Sequence, residues 1–249
     1  MIDKLDFNVF NHMIYLNKLK LNYNRLQKIS FKNRYYIRDK YIRIILPNLR
    51  ALEVENCRVE TIVFENMNMG RDFGCLRAIS LAGNKISKIQ GIDCLVGLKA
   101  AYFQNNKITD LSQIARLNNL VCLRLSSNLI TSSNLIELGN LKHLEKLNLM
   151  NNKIDEIPGY FKNFKKMTAL YISKNEISRI INLPPNLMSL GMTNVGMIKE
   201  IDLNYFEERD IEIQASITNF QRLFNYGLYN YIKTNFFPEI SLYQPKLCT

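Results

Sequence analysis

Apolar and polar positions along the chain follow one recurring phrase: Leu, two residues, Leu, one residue, Leu, two residues, Asn, one residue, Leu or Ile. It reads "LNKLKLNYNRL" from Leu16, "LRALEVENCRV" from Leu49, "LRAISLAGNKI" from Leu76 and "LKAAYFQNNKI" from Leu98. It continues as "LVCLRLSSNLI" from Leu120, "LEKLNLMNNKI" from Leu144, "MTALYISKNEI" from Met167 and, degraded, "LMSLGMTNVGM" from Leu187. The eight units begin 33, 27, 22, 22, 24, 23 and 20 residues apart, so insertions are confined to the N-terminal side. Within each phrase the apolar residues alternate with period two, as Leu123 and Leu125 do around Arg124, which predicts a short strand with one buried side. No single unit can bury that side alone. Stacked units can, and eight strands about 4.8 Å apart would form a parallel sheet spanning about 34 Å.

The Asn that closes each strand (Asn24, Asn84, Asn106, Asn128, Asn152, Asn175) carries an acceptor and two donors, enough to satisfy backbone groups where the chain turns away from the sheet. These residues predict a polar ladder running through the stack. Cys57 and Val195 occupy the same place in the second and eighth units. A thiol can serve as a weak hydrogen-bonding partner and valine cannot, so the last unit reads as a decaying one.

The phrase and its spacing resemble the leucine-rich repeat superfamily, over roughly residues 16 to 201. The resemblance implies an α/β solenoid, a horseshoe of about eight repeats with a parallel β-sheet on its concave face. From Leu76 to Leu120 a 22-residue beat with "NKIxxI" or "NKIxxL" after the strand looks like the subclass named after the SDS22 phosphatase regulator. "NNKIDEIPGYFKNFKKM" is similar instead to the commoner 23-residue class. Prolines in "RIINLPPNLMSL" (179 to 190) and "RIILPNLRAL" (43 to 52) imply extended return segments, because Pro fixes its own φ and pushes its predecessor out of the helical region. The return side is therefore expected to mix short helices or 3₁₀ turns with extended stretches.

End units need lids. Residues 1–15 are expected to form an N-terminal cap in which Leu5, Phe7 and Val9 alternate; residues 16–201 form the repeats, with a basic insertion over 28–46. Residues 202–249 form an aromatic-rich C-terminal cap (Phe220, Phe224, Tyr226, Tyr229, Tyr231, Phe236, Phe237).

Composition adds three points. A hydrophobic fraction of 47 % supports a large core. No apolar run is long enough for a membrane span, so no membrane partner is expected. The five cysteines (Cys57, Cys75, Cys94, Cys122, Cys248) are odd in number and hold no CxxC pair, and none of the 31 Asn starts a glycosylation sequon. Reduced thiols and a cytoplasmic or nuclear location are the expectation. The net charge of +11 is concentrated: residues 18 to 50 hold ten Lys and Arg against Asp39 alone, a net +9.

Part of that charge lies in "FKNRYYIRDKYIR" (31 to 43), where Lys32, Arg34, Arg38, Lys40 and Arg43 interleave with aromatics. Period-two alternation would put Phe31, Tyr35, Ile37 and Tyr41 on the stack and Lys32, Arg34, Arg38 and Lys40 toward solvent. A solvated basic edge is the simpler account. Interleaved aromatics and cations also suit RNA or an acidic protein surface, which makes this an anionic-partner patch and nucleic-acid association the second functional option.

Signs of catalysis are missing. His12 and His143 are far apart in register and neither has a metal-ligand neighbour in the sequence. "RDFG" at 71 to 74 is similar to a kinase magnesium motif, but no glycine-rich phosphate loop or catalytic HRD phrase accompanies it. No enzymatic activity, cofactor or metal is expected.

The middle residues of the strands form a column on the concave face: Lys20, Glu53, Ser80, Tyr102, Arg124, Asn148, Tyr171, Gly191. Tyr and Arg dominate interface hot spots, so Tyr102, Arg124, Asn148, Met150 and Tyr171 are the candidate contact patch. The function expected is that of a non-enzymatic adaptor or regulator that binds another protein through this face. The subclass resemblance leaves a phosphatase as one partner option.

Overall fold

The computed structural model describes residues 1–5, 7–10, 13–32, 35–37, 40–42, 46–65, 73–202, 205–206 and 211–214. Its main feature is a parallel sheet of nine strands, each of three residues: Lys18–Lys20, Ala51–Glu53, Ala78–Ser80, Ala100–Tyr102, Cys122–Arg124, Lys146–Asn148, Ala169–Tyr171, Ser189–Gly191 and Glu212–Gln214. Eight are the predicted ones in chain order. The ninth lies within 202–249, where "DIEIQ" alternates Ile211 and Ile213 without the closing Asn.

Register is continuous from end to end. Leu19, Leu52, Ile79, Ala101, Leu123, Leu147, Leu170, Leu190 and Ile213 lie opposite one another along the sheet. All but Ile213 in this row are buried, as are Leu21, Val54, Leu81, Phe103, Leu125, Leu149, Ile172 and Met192 two residues on. Each buried Leu or Ile contributes about 1.5–3 kcal/mol by leaving water. Ala101 is the small member of its row, and its own unit carries the large Phe103 in the next row, a local exchange of volume that keeps the layer filled.

The Asn ladder forms as the phrase requires. Asn106 Nδ2 donates to Phe103 O and Gln104 O of its own unit and to Leu81 O of the preceding one (3.1, 3.3 and 2.9 Å). Its Oδ1 accepts from Ile86 N at 2.9 Å. Asn84, Asn128, Asn152 and Asn175 repeat the pattern one unit at a time. At Cys57 a thiol replaces the amide: Sγ accepts from Asn24 N and lies 3.3 Å from Leu21 O. The first rung, Asn24, accepts from Ile2 N at 2.8 Å, so the N-terminal residues close the ladder there.

Beside every rung the backbone turns through the left-handed region. Tyr23, Asn56, Gly83, Asn105, Ser127, Asn151, Lys174 and Asn194, each one residue before the rung position, all have φ between 51° and 68°. The corner survives at Asn194 although Val195 supplies no amide. Only Gly83 takes it without a Cβ, and there a Cβ would meet Asn56 Oδ1 at 2.1 Å.

Returns are mixed, as expected. Lys28–Lys32, Thr61–Glu65 and Lys88–Gln90 pair as a second parallel sheet, driven by the β-branched and aromatic alternation of "KISFK" and "TIVFE". The middle units return through the 3₁₀ turns Ile92–Cys94, Ile114–Arg116, Ile136–Asn140 and Gly159–Asn163. Arg179–Ile180 then pairs with Glu200–Ile201.

Two local expectations change. Phe7–Phe10 is a 3₁₀ turn rather than an alternating strand; Leu5 and Phe10 pack on the core and Val9 is exposed. In the basic insertion, Tyr35–Ile37 and Lys40–Ile42 form an antiparallel hairpin that pairs Tyr36 with Tyr41 and Ile37 with Lys40. Opposed residues share a face, so a single alternation does not run through both strands. The aromatic cap residues 220 to 237 lie outside the described residues.

Replacing Asn106 by Ala strands Leu81 O and Ile86 N in a buried seam, and a loss of about 1–3 kcal/mol is expected in chemical or thermal unfolding. The exposed neighbour Lys107→Ala, measured alongside, is expected to stay within about 0.5 kcal/mol of the parent.

Candidate functional site

The continuous register makes the concave column a physical row. Lys20, Glu53, Ser80, Tyr102, Arg124, Asn148, Tyr171 and Gly191 lie opposite one another on successive strands, and Gln214 extends the row. Tyr102, Arg124, Asn148 and Tyr171 are therefore consecutive, at the strand spacing of about 4.8 Å. Met150 lies two residues beyond Asn148 on the same side of the sheet, and all five are half-buried.

Their local geometry is held from within. The Arg124 guanidinium carbon sits 5.3 Å from the centre of the Tyr102 ring, a cation–π contact that fixes both side chains. Asn148 Oδ1 accepts from Met150 N at 3.0 Å, which turns its amide back along its own strand. Tyr171 rests against Gly191, where a Cβ would stand 2.7 Å from Tyr171 Cδ1, so the ring lies over bare backbone. Most flanking positions are small (Ala78, Ala82, Ala100, Cys122, Ser126, Ala169 and Ser173), with Gln104, Lys146 and Met150 the large ones. Two bulky aromatics with an Arg between them thus rise from a shallow floor. Gln104 Oε1, on the same face, is buried without a hydrogen-bond partner in the structure. Nothing in the repeat phrase singled it out.

The N-terminal part of the face is already neutralised. Glu53 is bridged by Lys18 and, at 3.4 Å, by Lys20, and Ser80 Oγ donates to Glu55. Burial pushes the Glu53 carboxyl up, but the Lys18 hydrogen bond and the charges of Lys18 and Lys20 outweigh it and leave the group below its ordinary value.

The second predicted patch is only partly placed. Lys32 ends the Lys28–Lys32 strand and Lys40 begins the Lys40–Ile42 strand, whereas Arg34, Arg38 and Arg43 lie outside the described residues. Phe31, the aromatic that opens the stretch, is buried, stacked on Phe64 with ring centres 5.0 Å apart and edge-on to Phe73 at 5.5 Å. Phe73, from the "RDFG" tetrapeptide, is thus a core residue.

His12 lies outside the described residues, and His143 is exposed with Nδ1 3.0 Å from Lys166 Nζ. Among the described residues no group of His, Cys, Asp and Glu is arranged to hold a metal, and no helix is long and apolar enough to cross a membrane. Cys57, Cys75 and Cys94 are not in disulfides; Cys122 is disulfide-bonded, which corrects the expectation of uniformly reduced cysteines.

Strand stacking, the Asn ladder and the eight left-handed corners are those of the leucine-rich-repeat fold, and the comparisons agree. The family model described as Leucine Rich Repeat matches residues 143–164. Lumican of Mus musculus is 28 % identical over 211 residues, covering 84 % of this chain and 57 % of its own length. The chain thus spans somewhat over half the length of this relative. Among solved structures, a leucine-rich-repeat protein of Leptospira interrogans superposes with a TM-score of 0.59 at 19 % identity, over 88 % of this chain and 60 % of that one. TLR13 in its complex with ssRNA13 gives 0.62 at 20 % identity, over 86 % of this chain and 31 % of that one.

These relatives overturn the expected cytoplasmic or nuclear location. Lumican is a proteoglycan of the extracellular matrix, which speaks against a cytoplasmic location. Cysteine and sequon counts failed as guides because they limit which modifications a chain can carry, not where it is delivered.

The Glu53 carboxylate supplies a checkable pH dependence. Its folded value lies below its unfolded one, so its contribution is complete at neutral pH and is lost as pH falls through the depressed folded value. The difference in melting temperature between the parent and Glu53→Gln is expected to shrink between pH 7 and pH 3.

Proposed function

We propose that the chain is a non-enzymatic recognition module that grips another protein through the concave face, with Tyr102, Arg124, Asn148, Met150 and Tyr171 at the centre of contact. One observation carries the reading: four of these side chains stand on consecutive strands, among mostly small neighbours, with Arg124 over the Tyr102 ring. Large, pre-positioned aromatics lose little rotamer freedom on binding and displace water over a wide area, which is what a few dominant contacts in an interface require.

Supporting it, leucine-rich-repeat proteins generally mediate protein–protein interaction, and the relatives found here are binding proteins without enzymatic activity. A shallow row on a sheet also gives no enclosed volume in which to strip water from a small substrate, whereas it suits a large complementary surface. In this role the chain acts as an adaptor or regulator, bringing no chemistry of its own.

Tyr102→Ala combined with Tyr171→Ala is expected to abolish capture of the partner in pull-downs while the melting temperature stays near that of the parent. Capture that persists with both rings removed would assign the contact to another surface.

A further inference from the structure

The residue immediately after each rung Asn, or its substitute, forms a column of its own: Arg25, Arg58, Lys85, Lys107, Leu129, Lys153 and Glu176. Their backbones are tied in sequence. Arg58 N donates to Leu26 O, Lys85 N to Val59 O, Lys107 N to Ile86 O and Leu129 N to Ile108 O; Lys153 N and Glu176 N continue to Ile130 O and Ile154 O. The column therefore climbs the edge of the solenoid with the strand spacing of about 4.8 Å.

Its first four members are all cations and all exposed, and none of them makes an ion pair with an acid among the described residues. Nearby acids are few: Asp3, next to the Ile2 that Arg25 N bonds; Glu60, two residues beyond Arg58; and Asp110, three beyond Lys107, whose carboxyl is held low by Ser112 and lies near Lys88. Lys28 and Lys88 add further positive charge to the same edge. On the opposite edge Arg50, Arg77 and Lys99 also align, but the Arg77 guanidinium is engaged by Gly74 O and Leu76 O at 3.0 and 3.1 Å. That leaves Arg50 and Lys99 exposed there, two cations separated by an engaged one, against four in succession on the Arg25 edge.

Like charges stacked at this spacing repel one another and bring the fold no benefit. They match an anion that is itself linear and regularly charged. A compact anion would meet one or two of the four. We infer that the Arg25–Arg58–Lys85–Lys107 ladder binds a linear sulfated polysaccharide lying along the axis of the stack, independently of the concave patch.

Single-stranded nucleic acid fits the edge less well. Its bases need flat aromatic platforms beside the cations, and the adjoining corner column offers Asn56, Gly83 and Asn105, with Tyr23 alone at the end. Those amides, with Gln27, Ser87 and Thr109 in the column on the other side of the ladder, suit sugar hydroxyls, and Glu60 is the one acid in that stretch of the column. The secreted character of the relatives also places such polymers within reach.

The test uses the 249-residue chain and a heparin oligosaccharide as probe, with binding followed across a salt series. Changing Arg25, Arg58, Lys85 and Lys107 together to Gln is expected to weaken binding by about tenfold or more and to lower the slope of log affinity against log salt by about 3, since fewer counterions are released. A control that neutralises the exposed Lys162, Lys165, Lys166 and Lys174 has the same net charge and is expected to keep most of the affinity. Leu129→Lys, which fills the gap between Lys107 and Lys153 on an exposed position, is expected to tighten binding at least twofold. Equal loss in both neutralised variants, no gain with Leu129→Lys, or equally tight and equally ladder-dependent binding of poly(uridylate) would each overturn the inference. Circular dichroism melts of all three variants confirm folding, and Leu129→Lys remains decisive even where the fourfold variant is destabilised.

Discussion

One side-chain amide touching two units at once is the constraint on which the stack rests. Asn106 gives its two amide hydrogens to carbonyls of its own turn and of the turn before, and its oxygen takes the Ile86 amide hydrogen. A strand of three residues has too few backbone bonds to fix its own path. The amide makes the end of each strand part of the next, and in doing so it sets the axial rise and the direction in which the chain leaves the sheet. The left-handed corner belongs to the same device, because only that turn points the following side chain inward. Residues as unlike as Tyr23, Ser127 and Lys174 adopt it. The ladder and the buried rows beside it outweigh the local backbone cost of roughly 1 kcal/mol or more at each non-glycine corner.

Regularity of this kind explains why the third residue of each strand is free for recognition. The residues before and after it in the sequence face in or are crowded by the next strand, so the outward row can vary from Lys20 through Tyr102 to Gly191 without disturbing the core. Gly191 shows how the row accommodates bulk: it leaves bare backbone for the Tyr171 ring to lie over. Glu53, gripped by Lys18 and Lys20, shows the opposite case, a charge consumed within the face itself.

Most of the architecture was legible in the residues, because period-two Leu and a closing Asn each have a single mechanical use here. The order of strands, the ladder and the row containing Tyr102, Arg124, Asn148 and Tyr171 all follow from that. What escaped has physical reasons. The ninth strand, Glu212–Gln214, has alternating Ile but no amide to close it, so it lacked the phrase that marks the others. Leu5, Phe7 and Val9 alternate over too short a span to distinguish a strand from the 3₁₀ turn that forms. In the basic insertion the antiparallel pairing sets Ile37 opposite Lys40, a change of alternation between the two strands that no residue in "YYIRDKYI" announces. The unpaired Gln104 oxygen and the bonded Cys122 depend on contacts between segments distant in sequence.

Cys57 gives the N-terminal end of the stack a property that the other rungs lack. Burial pushes its thiol up from the ordinary value, although hydrogen bonds from the Asn24 and Tyr23 backbone pull the other way, so little thiolate is present while the joint is closed. An alkylating reagent reaches it only when the first turn separates from the second. The rate at which that sulfur is consumed is therefore a built-in clock for fraying at this end, readable by mass spectrometry without any engineered label.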